Sequence, residues 1–511
     1  MRLNGGLSTR VARNTLWNVL GIAVPLPVAV LVVRPLLRGL GAERFGILAL
    51  AWAIMGYFTL CDFGLGRATT RQVAEARAQG RRGAIGGIFW HAAFAHAALG
   101  LAGGLALALA ASWLAGHALS VSPERTAETR QAVLLLALSV PLIVAITAVR
   151  GLLEGLDRFD LVAAANVPNA VLVYALPLAA LAISPALPVV IGAVVLARAA
   201  ALLIFFACAW RACPEIRRPV RPSGAIARSL IGLGGWLAIS AAVVPAMSSI
   251  DRLIIASTLS ASAVGFYSVP YDIVTRLWLV TGAVLGVLFP VFSGLAASRP
   301  DAVRLLLRRS ADALLIALAP VIAVVITAAP GLLAWWLGPE FRLRSAPVAQ
   351  ALAVGMLFSG VANLGTTLLQ AVNRASFVAL SEVAQALLYA VAAWWAAGRY
   401  GLMGVAIAWM LRAVVQACVA LLACGVLSGA AGLMPRAPFW IARTAVALAL
   451  FAASWKLAFV QPAWLQAAGL SVALAAFGLW AWRYALDRET RGLFWRWGTS
   501  LRGAIREVGA W

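Results

Sequence analysis

The sequence predicts an all-α polytopic membrane protein of about 14 transmembrane helices, with two six-helix lobes related by a parallel repeat and two further C-terminal helices. Three observations carry this expectation. The 511 residues are 63% hydrophobic and only 12% charged, whereas a soluble domain carries about 25% charged residues. Apolar runs of about 20 residues, the length that crosses a bilayer, recur along nearly the whole chain, and they are continuous rather than alternating, which excludes a β-barrel. The third observation is internal. Leu152-Leu153-Glu154-Gly155-Leu156-Asp157-Arg158 lines up with Leu368-Leu369-Gln370-Ala371-Val372-Asn373-Arg374, 216 positions later, and the apolar residues that follow keep register (Val162/Val378, Ala163/Ala379, Val167/Val383, Ala170/Ala386, Leu172/Leu388). Gly39–Gly46 likewise matches Thr258–Gly265. Copies running in the same direction, each with an even number of helices, are parallel repeats about an axis along the membrane normal, an arrangement typical of transporters.

In chain order the expected spans are 14–33, 45–65, 84–115, 131–151, 160–183 and 187–210 in the first copy. The second copy holds 228–250, 264–293, 310–337, 346–371, 375–397 and 402–426, and spans 441–460 and 464–482 stand outside the repeat. This divides the chain into an N-lobe (1–210), a cytoplasmic linker (211–227), a C-lobe (228–426), two extra spans (441–482) and a tail (483–511). Arg2, Arg10 and Arg13 precede the first apolar run and no small-residue cleavage site follows it, so it is read as an uncleaved span. The tail mixes Arg with Trp495, Trp497 and aliphatics, the composition of a helix lying on the inner membrane surface. Prolines fall inside several spans (Pro25, Pro27, Pro141, Pro168, Pro177, Pro245, Pro270, Pro290, Pro320), each removing a helix hydrogen bond and allowing a kink. Gly100/Gly104 and Gly282/Gly286 have the spacing that lets helices approach closely, a weak signal among 45 glycines.

Net charge is +23, carried by arginines and a single lysine, Lys456. With the N-terminus inside, the cytoplasmic segments hold about 28 of the basic residues against about 10 outside, so both termini are expected in the cytoplasm. No clustered soluble basic surface points to nucleic acid. Without another lysine there is no GxxxxGK[ST] loop for nucleotide phosphates. HExxH, GxSxG and EF-hand patterns are missing too, and the loops are too short for a catalytic domain, so the chain is expected not to be an enzyme and to need no cofactor. His91 and His96 are five apart, off the spacing of a helical metal pair. Cys61, Cys208, Cys213, Cys418 and Cys424 show no CxxC spacing and read as reduced packing residues.

Charges inside spans cost about 2.5–3.5 kcal/mol each on an insertion scale and call for a reason. Asp272 and Arg276, four apart, are expected on one face of the eighth span. Arg198 in the sixth span and Arg412 in the twelfth occupy equivalent helices, both toward the inner end, where snorkelling competes with a cavity role. Asp62 lies near the inner end of the second span, and Asp251-Arg252 closes the outer end of the seventh. Arginine binds phosphate bidentately and keeps its charge. The expectation is that Arg276, Arg198 and Arg412 line a cavity for an anionic headgroup, with Asp272, Asp62, Asp251 and Arg252 in gating or coupling; an internal ion pair or interface role competes for each.

Several motifs together resemble a known family. Arg13-Asn14-Thr15-Leu16-Trp17-Asn18 opens the first span, and Arg34-Pro35-Leu36-Leu37-Arg38-Gly39-Leu40-Gly41-Ala42-Glu43-Arg44-Phe45-Gly46 and Cys61-Asp62-Phe63-Gly64-Leu65-Gly66-Arg67-Ala68 follow. Arg150–Phe159, Ser249–Ile255 and Val264–Ser268 fit the same pattern. Residues 8–425 thus resemble the O-antigen and exopolysaccharide flippases of the multidrug/oligosaccharidyl-lipid/polysaccharide exporter superfamily. The resemblance implies a bacterial inner-membrane flippase for undecaprenyl-pyrophosphate-linked oligosaccharide, working by alternating access between two lobes around a cationic cavity. It also implies membrane lipids and polysaccharide polymerase machinery as partners, and a monomer is expected. Many members have twelve spans, so the two extra ones are a departure. The peptidoglycan lipid-precursor flippase is a fourteen-helix relative, but its arginine cluster early in the first span has no counterpart here. A cation-coupled multidrug antiporter on the same fold is the alternative; it would carry acidic cavity residues, whereas the intramembrane set here is mostly Arg.

Overall fold

The computed structural model describes residues 25–60, 65–218, 249–279, scattered positions between 281 and 292, then 300–372, 374–427, 437–460 and 462–485. All regular structure among the described residues is helical. The first copy comprises α1 (Pro25–Leu60), α2 (Leu65–Ala78), α3 (Gly83–Trp113), α4 (Thr126–Gly155), α5 (Phe159–Ala180) and α6 (Leu187–Ala212). Then come α7 (249–258), α8 (Ala261–Thr275), α9 (Pro300–Leu337), α10 (Pro339–Arg344), α11 (Ala346–Ala371), α12 (Ala375–Leu427), α13 (Ala437–Leu457) and α14 (Ala463–Trp480). Among the described residues, nine helices are long and apolar enough to cross a membrane. The protein is an all-α, multi-pass membrane protein.

Helix ends differ from expectation at several points. α12 contains two expected spans and the described part of α1 runs through portions of two, each joined across one non-helical residue, Gly401 (φ +62°) and Gly41 (φ +74°). Only glycine takes these angles without strain, so the chain changes direction with almost no loop. The segment 67–82, expected as a loop, contains helix α2, which is amphipathic: Thr69, Val73 and Ala76 are buried while Arg67, Arg71 and Arg77 stay exposed. α9 begins at Pro300, ten residues before the expected 310. Its charged start is carried by a buried stripe at helical spacing, Val303, Leu307, Ala311 and Leu314. The continuous span expected over 264–293 is interrupted: α8 stops at Thr275, and the amides of Arg276 and Leu277 turn back to the carbonyls of Ile273 and Val274 (3.3 and 3.1 Å).

The repeated heptad forms the same interhelical turn twice. In the first copy Leu156 N–H donates to Leu152 O, Arg158 N–H to Leu153 O and Val162 N–H to Arg158 O (3.0, 2.9 and 3.2 Å). In the second, Val372, Arg374 and Val378 donate to Leu368, Leu369 and Arg374 (3.0, 2.8 and 3.3 Å). Leu152, Leu153 and Val162 are buried in one core cluster, and Leu368, Leu369 and Val378 in another. Asp157, at φ +62°, makes the corner of the first turn; the short polar side chains of Asp and Asn tolerate this left-handed conformation better than other side chains.

The chain divides into two compact units, residues 1–268 with 379–405, and 269–378 with 406–511. In the first, α3 and α4 pack at glycines. A Cβ on Gly100 would lie 2.7 Å from Pro141 Cα, and one on Gly104 2.8 Å from Ala137 O. Lipid gives little hydrophobic drive for helix association, so such close backbone approach supplies the van der Waals contact instead. Gly46 of α1 meets the first turn of α8, where a Cβ would overlap the Ala261 carbonyl, and a Cβ on Gly265 would sit 3.7 Å from Gly46 Cα. The glycines paired by the repeat therefore face each other.

Near Gly41, Glu128 accepts from Arg44 Nε and from the Leu187 amide (3.0 and 2.7 Å), while Glu43 pairs with Arg125 and accepts from Ser122 (3.1 and 2.8 Å). These carboxylates satisfy donors at helix ends that would otherwise be orphaned.

In the second unit the helices outside the repeat are bound by polar groups. Asp312 of α9 pairs with Arg443 of α13, both nearly buried, and Arg443 also donates to Tyr484 O (3.1 Å). Thr327 donates to Ser454 O (3.2 Å) and accepts at its own carbonyl from Gln466 of α14 (3.0 Å).

Candidate functional site

The ionisable residues singled out in the sequence fall into three groups. Asp251 and Arg252 lie in α7, which runs on to residue 258, so they sit inside a helix rather than closing its outer end. The hydroxyls of Ser257 and Thr258 bond back to Ile254 O and continue that helix (3.0 and 2.7 Å). Asp251 is fully buried and Arg252 nearly so. Asp251 accepts from Tyr267 Oη (2.7 Å) and from the Arg252 amide (3.0 Å), and Arg252 Nε donates to Ser268 Oγ (3.1 Å). Both partners are on α8, so a buried carboxylate and a buried guanidinium tie the two helices together. Charge survives burial only with such partners.

The second group surrounds Arg198. Its place is the middle of α6, with eleven residues of the helix before it and fourteen after, so the expected position toward the inner end is corrected. Arg198 Nη1 donates to Asn169 Oδ1 of α5 (3.0 Å). Tyr174, one and a half turns further along α5, lies within electrostatic range of the guanidinium. Its ring meets Trp52 of α1 edge-on, with centroids 5.1 Å apart. Arg198 Nε and Trp52 Nε1 are buried and have no hydrogen-bond partner among the described residues. All four residues are half-buried.

The third group is in the second unit. Arg412 lies 5.6 Å over the Trp409 ring, a cation–π distance, and Trp409 meets Tyr271 edge-on at 6.2 Å. Tyr271 stands 219 positions after Trp52, the same interval that separates Gly265 from Gly46. The two copies thus place Trp52 and Tyr271 alike, but Trp409, three residues before Arg412 on its own helix, has no counterpart in Tyr174 of α5. Asp272 and Arg276, the latter in the turn after α8, are exposed and do not pair with each other. Asp62 lies outside the described residues.

The sequence singled out the arginines by their charge within apolar runs but missed their polar neighbours. Asn169, Tyr174, Trp52, Tyr267 and Ser268 are ordinary residues for a membrane helix, and only the fold brings them to a charge. Asn169 was the most accessible, as a lone amide in the apolar run 160–183. Among the described residues no cluster of His, Cys, Asp and Glu could hold a metal ion.

Comparison with known proteins follows the same lines. The profile of the polysaccharide biosynthesis protein family matches residues 11–296. The chain is 24% identical over 412 residues to a Shigella flexneri protein named "Putative O-antigen transporter", covering 80% of this chain and 96% of that protein. Among solved structures it is similar to the lipid II flippase MurJ in an inward closed conformation (TM-score 0.68, 12% identity, 92% of this chain and 99% of that one). It is equally similar to an inward-facing multidrug resistance MATE family transporter of the MOP superfamily (TM-score 0.68, 15% identity, 81% and 98%). These two likenesses show the fold. Because the profile spans more than half of its length, the chain belongs to the polysaccharide biosynthesis protein family.

Proposed function

We propose that this protein is a flippase that carries undecaprenyl-pyrophosphate-linked oligosaccharide, an O-antigen or exopolysaccharide repeat unit, across the bacterial inner membrane by alternating access. The observation that carries the reading is the membrane-embedded arginine set. Arg198 keeps an unused N–H at mid-helix, and Arg412 is held on an aromatic face in the equivalent helix. A guanidinium in hydrocarbon is costly unless a counter-charge visits it, and phosphate oxygens match its donor geometry. The family and the similarity to a protein named as an O-antigen transporter support the same substrate class. In this reading Arg276, Arg198 and Arg412 are each candidate ligands of the pyrophosphate headgroup, and the prenyl tail stays in lipid.

Asp251 and Arg252, with Asp272 and Asp62, serve gating or coupling. Asp251 is the strongest of these, because a buried carboxylate held by a tyrosine hydroxyl changes its partners when it takes a proton. Both termini lie in the cytoplasm, and polymerase machinery receives the product on the outer face. The binding and movement need no covalent chemistry and no cofactor.

The test is a deletion strain complemented with wild type, Arg198→Ala or Arg276→Ala at equal expression, scored for surface polysaccharide and for inner-leaflet lipid-linked intermediate. Wild type restores export, and the variants accumulate intermediate. Full export by both variants eliminates these arginines as headgroup ligands.

A further inference from the structure

We infer that Trp52, Asn169, Tyr174 and Arg198 form one phosphoryl-binding site at mid-membrane depth within the first unit, with Trp52 as a second donor and Asn169 as the residue that aims the guanidinium. The inference rests on the flippase reading for its lipid-linked ligand, but the site stands on its own geometry.

The depth comes from helix registers. Counted from the end where Glu128 ties Arg44 to the Leu187 amide, Trp52 lies ten residues beyond Ala42, and Arg198 lies eleven beyond Leu187. Asn169 lies eleven residues before the matching end of α5 at Ala180. At 1.5 Å per residue each is about 15–17 Å from that end, the midpoint of a hydrocarbon layer about 30 Å thick. Three helices thus bring an indole, an amide and a guanidinium to one level, where bulk water cannot satisfy them.

The hydrogen-bond inventory shows what is missing. Arg198 Nη1 uses the Asn169 oxygen, while among the described residues Arg198 Nε has no acceptor and Trp52 Nε1 has none either. Both atoms are buried although their side chains are half open. Buried donors in native proteins are nearly always paired. Two orphaned donors, one on the indole that meets the Tyr174 ring and one on the guanidinium held by Asn169, therefore point to an absent acceptor. Indole N–H and guanidinium are donors only, so the ligand must supply oxygens, and one with negative charge also offsets the embedded cation. A phosphate or pyrophosphate does both. Asn169 leaves Arg198 its full charge, because an amide oxygen orients a guanidinium without neutralising it.

In the second copy Arg412, on the equivalent helix, lies over the Trp409 ring, and Trp409 meets Tyr271, the counterpart of Trp52, edge-on.

The test uses the full chain in nanodiscs, with farnesyl pyrophosphate, farnesol and inorganic pyrophosphate as probes and dissociation constants as the readout. Trp52→Phe keeps the ring and removes the N–H. Asn169→Asp places a carboxylate on Arg198 and cancels its charge. Arg198→Lys keeps the charge and loses the Nε–H, and serves where another variant fails to fold.

We expect each variant to weaken farnesyl pyrophosphate by about tenfold, in line with loss of a charge-assisted bond, with farnesol binding unchanged. Inorganic pyrophosphate that binds as tightly as the farnesyl ester also supports the site and assigns it to free anions rather than a lipid headgroup. Wild-type affinity for farnesyl pyrophosphate in folded Trp52→Phe and Asn169→Asp overturns the inference, as does equal loss of farnesol. If export still depends on Arg198 in that case, the flippase reading survives and only this site fails.

Discussion

Gly46→Ala is the sharpest test of the packing between α1 and α8. A Cβ at residue 46 would overlap the Ala261 carbonyl oxygen and lie 2.6 Å from its carbon. Carbon and carbonyl oxygen rest at about 3.3–3.6 Å, so α1 and the start of α8 must separate by about 1 Å or more. The obstacle is backbone, which no rotamer change removes. Overpacking costs about 1–3 kcal/mol where side chains can give way.

Two backbone hydrogen bonds are also at risk, because Ala261 N–H donates to Ser120 O (3.2 Å) and Ser120 N–H donates to Ala256 O (2.8 Å). At about 1 kcal/mol each, their loss brings the expected cost to about 3–5 kcal/mol. Gly265→Ala is the internal control. Its Cβ would be tight only against the Phe45 ring edge, at 3.1 Å, with Gly46 Cα at ordinary contact distance, and the cost is about 1 kcal/mol since a few tenths of an ångström suffice. Equilibrium unfolding in mixed micelles with increasing SDS reads both. A Gly46→Ala protein as stable as wild type, or less affected than Gly265→Ala, refutes the close approach.

Two further predictions concern buried polar groups. Asp312→Ala leaves the Arg443 cation without its carboxylate and is expected to cost about 3–5 kcal/mol, while the double change Asp312→Leu with Arg443→Met returns to within about 1 kcal/mol of wild type; the same unfolding assay in a double-mutant cycle decides it. At the end of α6, burial, reinforced by the Glu215 carboxylate that its S–H contacts, pushes the Cys213 thiol up from 9.0 to about 12. The native thiol then keeps its proton while an unfolded one releases it, so this group's stabilisation is complete below pH 9 and is lost as pH rises from 9 to 12. Thiolate at pH 8 is about one part in ten thousand, so alkylation by iodoacetamide stays negligible until the pH is raised, and Glu215→Gln increases it.

The fold was legible because membrane insertion demands a visible pattern. Apolar runs of bilayer length announce helices, and the heptad at Leu152 and Leu368 announced a duplication whose turns share three corresponding backbone bonds. Helix ends were less legible because charge does not end a helix. Arg304, Arg308 and Arg309 are half-buried in the first turns of α9, and the arginines of α2 face away from its buried stripe. The joints at Gly41 and Gly401 show the converse, since one left-handed residue does the work that a loop was expected to do. Arginines in apolar sequence were conspicuous by cost alone. Their environments were not, because Asn169 and Trp52 become informative only when three helices set them level with Arg198.

The facing of Gly46 and Gly265 has a consequence for symmetry. When position i of one half touches position i of the other, the contact is self-complementary, as at an isologous interface between identical subunits. Such a point lies on or beside the rotation axis. In an ancestral dimer of a single half, one codon would have shaped both sides of this joint, and a bulky change would have struck twice. After fusion the sides could diverge, and they have: on one, a backbone carbonyl fills the space a methyl would need, while on the other a phenyl edge leaves room for compromise.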